Sequence, residues 1–322
     1  DESFISREMN RRRAKGDGLS TPRVEADVPQ IISGVFEGKT TGTPLCAIIQ
    51  NGNTRSGDYD RTKNLARPSH ADFTGFVRYQ GRNDYRGGGH FSGRLTAPLV
   101  FAGAVAKLAL REREIFVGAH VLQVGAEKDI PFSKETLTGK AFEALAEKDF
   151  TVLDDEAGER MKVLIQEARM NLTSVGGIIQ CAVIGMPCGI GSPDKDNLEG
   201  VIARNMFRVP AVKGIEFGLG FGFASAYGHE VNDEMRMENG KVVTETNHNG
   251  GILGGISNGM PIVFQTVIKP TASISREQKT VNLAHMQDET LIIKGRHDPC
   301  ILSRASVVVE SAAALSVLEA LS

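Results

Sequence analysis

The run Asp84–Arg94, DYRGGGHFSGR, passes without a break into LTAPLVFAGAVAKLAL, and the rest of the chain has to be arranged around that junction. Three consecutive glycines free the backbone to take positive φ and to present its N–H groups at close range. Arg86, His90 and Arg94 bracket them with donors suited to phosphate. Thr96–Leu110 is apolar almost all the way round, with Pro98 near its start, where a missing N–H costs little. A helix without a polar face is a buried one. The junction therefore predicts a basic, glycine-rich loop at the N-terminus of a core helix, a sound place to hold an anion.

The 322 residues are enough for one large domain or two ordinary ones, and no linker divides them. A net charge of −2 sets up no global field toward nucleic acid or a membrane. No run of about 18 apolar residues and no signal-peptide pattern is found, so a cytoplasmic site is the default expectation. Cys46, Cys181, Cys188 and Cys300 are too scattered for a disulfide framework, contain no CxxC pair for zinc, and read as reduced core residues. No metal site is expected.

Along the chain, Arg11–Arg12–Arg13 reads first as a solvated helix face. QIISGVF, EGKTTGT and PLCAIIQ give strand, turn and strand. The turn is not a P-loop, because only three residues separate Gly34 from Gly38 and no helix follows, which excludes a nucleotide triphosphatase of that kind. Asn51–Tyr85 reads as a long polar loop, a length usually reserved for function, and holds Arg67-Pro68-Ser69-His70-Ala71-Asp72. HVLQVGA is a strand; helices follow over about Lys134–Lys148 and Asp155–Met170; GGIIQCAVIG is a buried strand. Asp196 is placed to cap a helix whose Leu198, Val201, Ile202 and Met206 share a face. VPAVKGIEFGLGFG is a strand broken by glycines; Phe223 breaks the dinucleotide-binding GxGxxG pattern there. Glu238-Asn239-Gly240 marks a hairpin, PIVFQTVI and LIIK are strands, and Ser303–Ser322 is a mostly apolar helix whose Glu310 reads as a paired structural carboxylate. Short-turn strand pairs among irregular helices predict an α+β fold with antiparallel sheets.

The loops supply many arginines (Arg11, Arg12, Arg13, Arg23, Arg67, Arg86, Arg94, Arg296), few free carboxylates and several glycine platforms, an inventory suited to a polyanionic small molecule. RPSHADFT, DYRGGGHFSGR, NHNGGILGGISNGMP, KPTASIS and GRHDPC, in this order, closely resemble the chorismate synthase family from about Arg11 to the C-terminus. The resemblance implies a lyase of the shikimate pathway that converts 5-enolpyruvylshikimate 3-phosphate to chorismate and phosphate by 1,4-anti elimination. It implies reduced FMN, required without net redox change, and NADPH as reductant in bifunctional members. It implies helices sandwiched between two antiparallel four-stranded sheets in one domain over residues 1–322, and a homotetramer.

Residue by residue, His70 falls on the family's proton donor toward the flavin, with Ser69 where a glycine is usual. Asp298 matches the aspartate that helps deprotonate flavin N5, with Ser92 as relay. His90, Phe91 and Ser92 fall on the flavin-contacting triplet, although many members carry Arg-Ser-Ser or Arg-Ala-Ser there. Gly254, Lys269, Pro270, Thr271, Ala272, Ser273 and Arg296 match further FMN contacts, as do Val209 and Pro210. Arg12 matches an arginine associated with substrate or NADPH, a second such arginine aligns near Gly18 and is missing, and Arg94 is placed to meet substrate carboxylate or phosphate. The family's N-terminal strand and its Gly-Glu-Ser-His-Gly motif, whose histidine protonates the leaving phosphate, do not occur in the sequence, which begins at Asp1; omission of an N-terminal piece is the expectation. The alternative from another class is a protein that holds flavin or a phosphosugar without turnover. The Asn51–Tyr85 loop is expected to close over ligand.

Overall fold

The computed structural model describes residues 1–21, 26–51, 63–293 and 298–322. In chain order its elements are α1 (Glu2–Arg12), β1 (Pro29–Ser33), β2 (Val35–Phe36), β3 (Lys39–Thr40), β4 (Cys46–Ile49), α2 (Asp72–Arg78), α3 (Thr96–Arg111), β5 (Phe116–Val124), β6 (Glu127–Lys128), α4 (Gly139–Ala146) and α5 (Asp155–Met170). There follow β7 (Gly177–Ile184), α6 (Leu198–Met206), β8 (Val212–Phe217), α7 (Gly228–Val231), β9 (Met235–Glu238), β10 (Lys241–Thr244), β11 (Ile252–Leu253), β12 (Ile256–Ser257), β13 (Ile262–Ile268), β14 (Gln278–Asn282), β15 (Gln287–Leu291) and α8 (Leu302–Ala320).

Every strand pair among the described residues is antiparallel. One five-stranded sheet, ordered β6-β5-β7-β13-β8, is the platform, and five two-stranded pairs surround it. Alternation along its strands sends side chains to two faces. Val117, Ala119 and Val121, with Ile179, Cys181, Val183, Ile262, Phe264 and Ile268, join α1, α3, α6 and α8 in the main core. Phe116, Ala182, Ile184 and Val263 face the other way and meet Phe142 and Leu145 of α4. Helices and antiparallel strands are therefore mixed around one central sheet, as the α+β reading expects.

Local chemistry sets the helix ends. Asp154 caps α5 by accepting from the Glu156 N–H at 2.9 Å. Asn197, one residue beyond the expected Asp196, caps α6, accepting from Gly200 N–H at 2.6 Å, and the four expected apolar residues of that helix are buried. α4 starts at Gly139, not Lys134, because Thr138 caps it and residues 133–137 close a turn around Ser133 and Thr136. The Asn239-Gly240 turn has φ of 50° and 77°, the doubly positive geometry of a two-residue hairpin. Two cysteines depart from expectation. Cys181 and Cys300 are buried, whereas Cys46 at the edge of its ribbon and Cys188 in a loop are exposed. Burial pushes the Cys300 thiol up to about 12, which leaves it unreactive.

Contrary to the expectation that no apolar run is long enough, Gly93–Arg111 is long and apolar enough to pass for a membrane span, with a mean hydropathy of 1.3. Its packing explains the composition: α3 lies against α1 and α8. Its one charged interior residue, Lys107, donates to Glu8 at 2.6 Å and to Glu310. Arg11 reaches Glu310 through two bonds of 2.7 Å and Glu8 at 3.1 Å, and Glu310 also accepts from the Ala119 N–H at 3.1 Å. Two carboxylates and two cations thus lock three helices to the sheet, and Glu310 is the paired carboxylate expected of it. Burial alone would push the Glu8 carboxyl up, but Lys107 and Arg11 bring it down to about 2.

Candidate active site

The polar ends of α1, α3 and α8 open into a cavity of about 1650 Å³. Among the described residues, eight lysines and arginines (Arg12, Lys63, Arg67, Arg94, Arg208, Lys213, Lys269 and Arg304) and three aspartates (Asp27, Asp72 and Asp298) line it. The imbalance makes it a cationic hollow.

On one wall, the turn before α2 carries His70, with Ser69 at a φ of 60°. Asp72, first residue of α2, accepts from Arg67 Nε at 2.7 Å and Nη2 at 2.8 Å, and from the Arg67 N–H at 2.9 Å. Burial would raise its carboxyl, but the bonds from Arg67 and His70 hold it well below the usual range. His70 Nδ1 lies 2.6 Å from Asp72 Oδ1, which only accepts, and 3.1 Å from Arg67 Nη2, which only donates; the shorter contact makes Nδ1 the donor to Asp72. That fixes the tautomer when the ring is neutral and leaves Nε2 as the exchangeable position. Nε2 faces Gly88: a Cβ there would stand 3.5 Å from Nε2 and 3.7 Å from the Ser92 Cβ. Those are ordinary contact distances, so it is the φ of 86°, not lack of space, that calls for glycine at position 88, with the imidazole and Ser92 packed against it.

The expected glycine loop is a short 3-10 helix, Arg86–Phe91, followed by a second, Gly93–Leu95, that runs into α3. The Ser92 hydroxyl caps the second by accepting from Arg94 N–H at 3.3 Å. Arg12 braces the same turn: it donates to Thr96 Oγ1 at 2.9 Å, to the Gly93 and Arg94 carbonyls at 3.2 and 3.3 Å, and to Asp27 at 2.5 Å. The solvated-face reading of the arginine run is thereby corrected, since both Arg11 and Arg12 turn inward into ion pairs. Arg86 is corrected in the opposite sense. It is exposed, paired with Asp84 at 2.9 Å, and outside the cavity lining.

Beside it the wall continues as Lys269–Ser273, after β13. Lys269 Nζ donates to the Ser69 carbonyl and Arg67 Nη1 to Ser273 Oγ at 3.4 Å, tying this segment to the His70 turn. Thr271 Oγ1 donates to the Asp298 carbonyl at 2.7 Å. The Asp298 carboxylate accepts from Thr21 N–H at 2.8 Å and Arg304 Nη1 at 3.0 Å. Val209 and Pro210 complete the rim.

The chorismate synthase family model matches residues 1–321. The chain belongs to the chorismate synthase family. It is 44% identical over 312 residues to the chorismate synthase of Methanobrevibacter smithii, covering 97% of this chain and 84% of that one. It is 43% identical over 315 residues to the chorismate synthase of Thermococcus kodakarensis, covering 98% and 86%. A crystal structure of chorismate synthase superposes with a TM-score of 0.73 at 28% identity, over 99% of this chain and 82% of that one.

Against the resemblance, Arg12, His70, His90, Phe91, Ser92, Arg94, Val209, Pro210, Lys269, Pro270, Thr271, Ala272, Ser273 and Asp298 all border the one cavity. Gly254 does not line it: it sits at the exposed tip of the β11–β12 hairpin, whose Gly255 carbonyl accepts from Leu198 N–H at the start of α6. Arg23 and Arg296 lie outside the described residues. Sequence reasoning missed Asp27, Arg304 and Ala211. Ala211 holds a φ of 73° and its carbonyl accepts from Lys269 N–H at 2.9 Å, joining the two rims through a strained residue. Arg304 had a readable signal, six residues past Asp298 in the first turn of α8; alanine gives no warning of positive φ.

Proposed function

We propose that this protein converts 5-enolpyruvylshikimate 3-phosphate to chorismate and phosphate by reduced-FMN-dependent 1,4-anti elimination. The observation that carries the reading is the convergence of His70, Ser92, Lys269–Ser273 and Asp298 on one cationic cavity in a chain of this family. The residues fit the two ligands. Single-ligand pockets commonly enclose about 300–1000 Å³, so this one has room for a flavin stacked on a phosphorylated ring. Its cation excess suits two anions.

Reduced FMN, once bound, supplies the electron density that expels phosphate. The chain supplies the rest. His70 Nε2 carries a proton toward the flavin, with Nδ1 held by Asp72 so that the ring cannot turn. Asp298, aimed by Arg304 and Thr21, takes up a proton, with Ser92 as relay. Lys269–Ser273, Val209, Pro210, His90 and Phe91 border the cofactor. Arg94 meets the substrate's carboxylate or phosphate, and Arg12, whose donors go to the Gly93–Arg94 turn, acts there through Arg94. Residues 63–85, part of which folds as α2, close over the ligands and exclude water; the rest of the expected loop, residues 52–62, lies outside the described residues.

The same reading takes residues 1–322 as one domain of a cytoplasmic homotetramer with no nucleic-acid or membrane partner. Its second sheet layer grows from the β1–β4 ribbon, whose Ile31, Leu45, Ala47 and Ile49 already pack on the main core. Flavin titration paired with a product assay tests the function. Affinity with chorismate formation supports it; affinity without product, by the full-length protein, leaves the non-catalytic binder. Oxidation of NADPH by the purified protein with FMN alone would add an intrinsic reductase.

A further inference from the structure

Beyond the bonds to Asp72 at its start, α2 has little to hold it in place. Phe73, Phe76 and Val77 are exposed, and Gly75 is its only buried residue. Glycine in the middle of a helix is a poor choice unless space demands it. Here it does: a Cβ at position 75 would stand 2.6 Å from Cε2 and 3.1 Å from Cζ of Phe91. The Phe91 ring fills the notch that Gly75 leaves, and the Tyr79 ring lies 6.4 Å from it, one turn further along.

Both ends of this contact lead to His70. Back along α2, the Asp72 carboxylate fixes His70 Nδ1. Forward from Phe91, the next residue is Ser92, which with the His70 ring covers Gly88. Asp72, His70, Gly88, Ser92, Phe91 and Gly75 thus form a closed circuit, with the docked ring as its fastening. We propose that Phe91 is a positioning residue for His70, its ring docking α2 through the Gly75 notch so that Nε2 stays over Gly88. This goes beyond the proposed function, which needs His70 in place but no particular device to keep it there; its kinetic readout rests on that function.

The test compares Gly75→Ala, Phe91→Ala and the double variant with the wild-type full-length protein. The added methyl must push aside either the tip of the Phe91 ring or α2, undocking one from the other, so Gly75→Ala should lower kcat by up to about a hundredfold with little change in substrate KM. Removing the ring should make the notch irrelevant: the double variant should match Phe91→Ala within about twofold. Histidine-labelled ¹⁵N NMR adds a readout that needs no turnover. The His70 imidazole signal should move in both single variants while that of the distant, buried His120 stays. Effects that multiply in the double variant, or an unmoved His70 signal, overturn the proposal. Should Gly75→Ala alone fail to fold, Phe91→Ala and the double variant still decide it, equal rates supporting and a further drop overturning. If wild type makes no chorismate, the proposed function fails while the NMR comparison still decides this inference.

Discussion

Arg11 and Arg12 are neighbours on one helix, yet they serve two regions with opposite designs. Arg11 enters the cluster with Glu8, Lys107 and Glu310, where two cations meet two carboxylates in the core. Arg12 faces the cavity, where eight cations line the wall against three aspartates. The first arrangement is neutral and closed, and its charges can do nothing except hold α1, α3 and α8 together. Among the described residues the second carries an excess of positive charge, which suits an anionic ligand. Balance, more than residue type, separates the part that stabilises from the part that reacts.

Lesions in the two regions should therefore register in different measurements. The largest effect is expected at His70. His70→Ala should lower kcat by about a hundred- to ten-thousand-fold, the usual share of a proton-transfer group, while the denaturation midpoint scarcely moves. A large loss of stability with an unchanged kcat would erase the distinction. Glu310→Ala should do the reverse. It leaves two buried cations sharing the single Glu8 carboxylate, and removing one partner of such a cluster costs about 3–5 kcal/mol in chemical denaturation. Arg94→Gln should raise the substrate KM by about ten- to a hundredfold through loss of a charge-assisted bond, with stability nearly intact.

Acid should attack the closed cluster in a defined window. Glu8 titrates at about 2 when folded against an ordinary value of 4.5. Its folded pKa is depressed, so its contribution is fully present above pH 4.5 and is lost as the pH falls toward 2. Glu8→Gln should flatten the stability profile across that interval; a profile of unchanged slope would show that the cluster is not the acid-sensitive element. The smallest effect belongs to Arg86. Its pair with Asp84 is exposed and outside the cavity, so Arg86→Ala should leave both the denaturation midpoint and KM where they are.

The two regions also differ in how much could be read before folding. α3, α5, β7 and the Asn239-Gly240 hairpin were legible because their patterns and caps are local. Glu310 was legible as a paired carboxylate because an acid on an otherwise apolar helix needs a partner; the partners themselves, 203 and 299 residues away, were not. The same limit hid the parting of Arg11 from Arg12, which depends on what packs against each side of α1. α2 was lost inside an apparent loop because its apolar residues face outward. The β14–β15 hairpin was missed because QKTVN and QDETL are half-exposed and carry little apolar alternation. The cavity residues were reachable through motif resemblance, but Asp27 and Ala211 belong to no motif and emerge only from geometry.

The central claim, that the cationic hollow catalyses elimination rather than merely holding its ligands, meets its most direct test in an anaerobic rapid-mixing experiment. The full-length protein with reduced FMN is mixed with 5-enolpyruvylshikimate 3-phosphate, and phosphate and chorismate are followed together. The account expects equal amounts of both over many turnovers, and neither when FMN is oxidised. Saturable binding of both ligands with no phosphate released would contradict it.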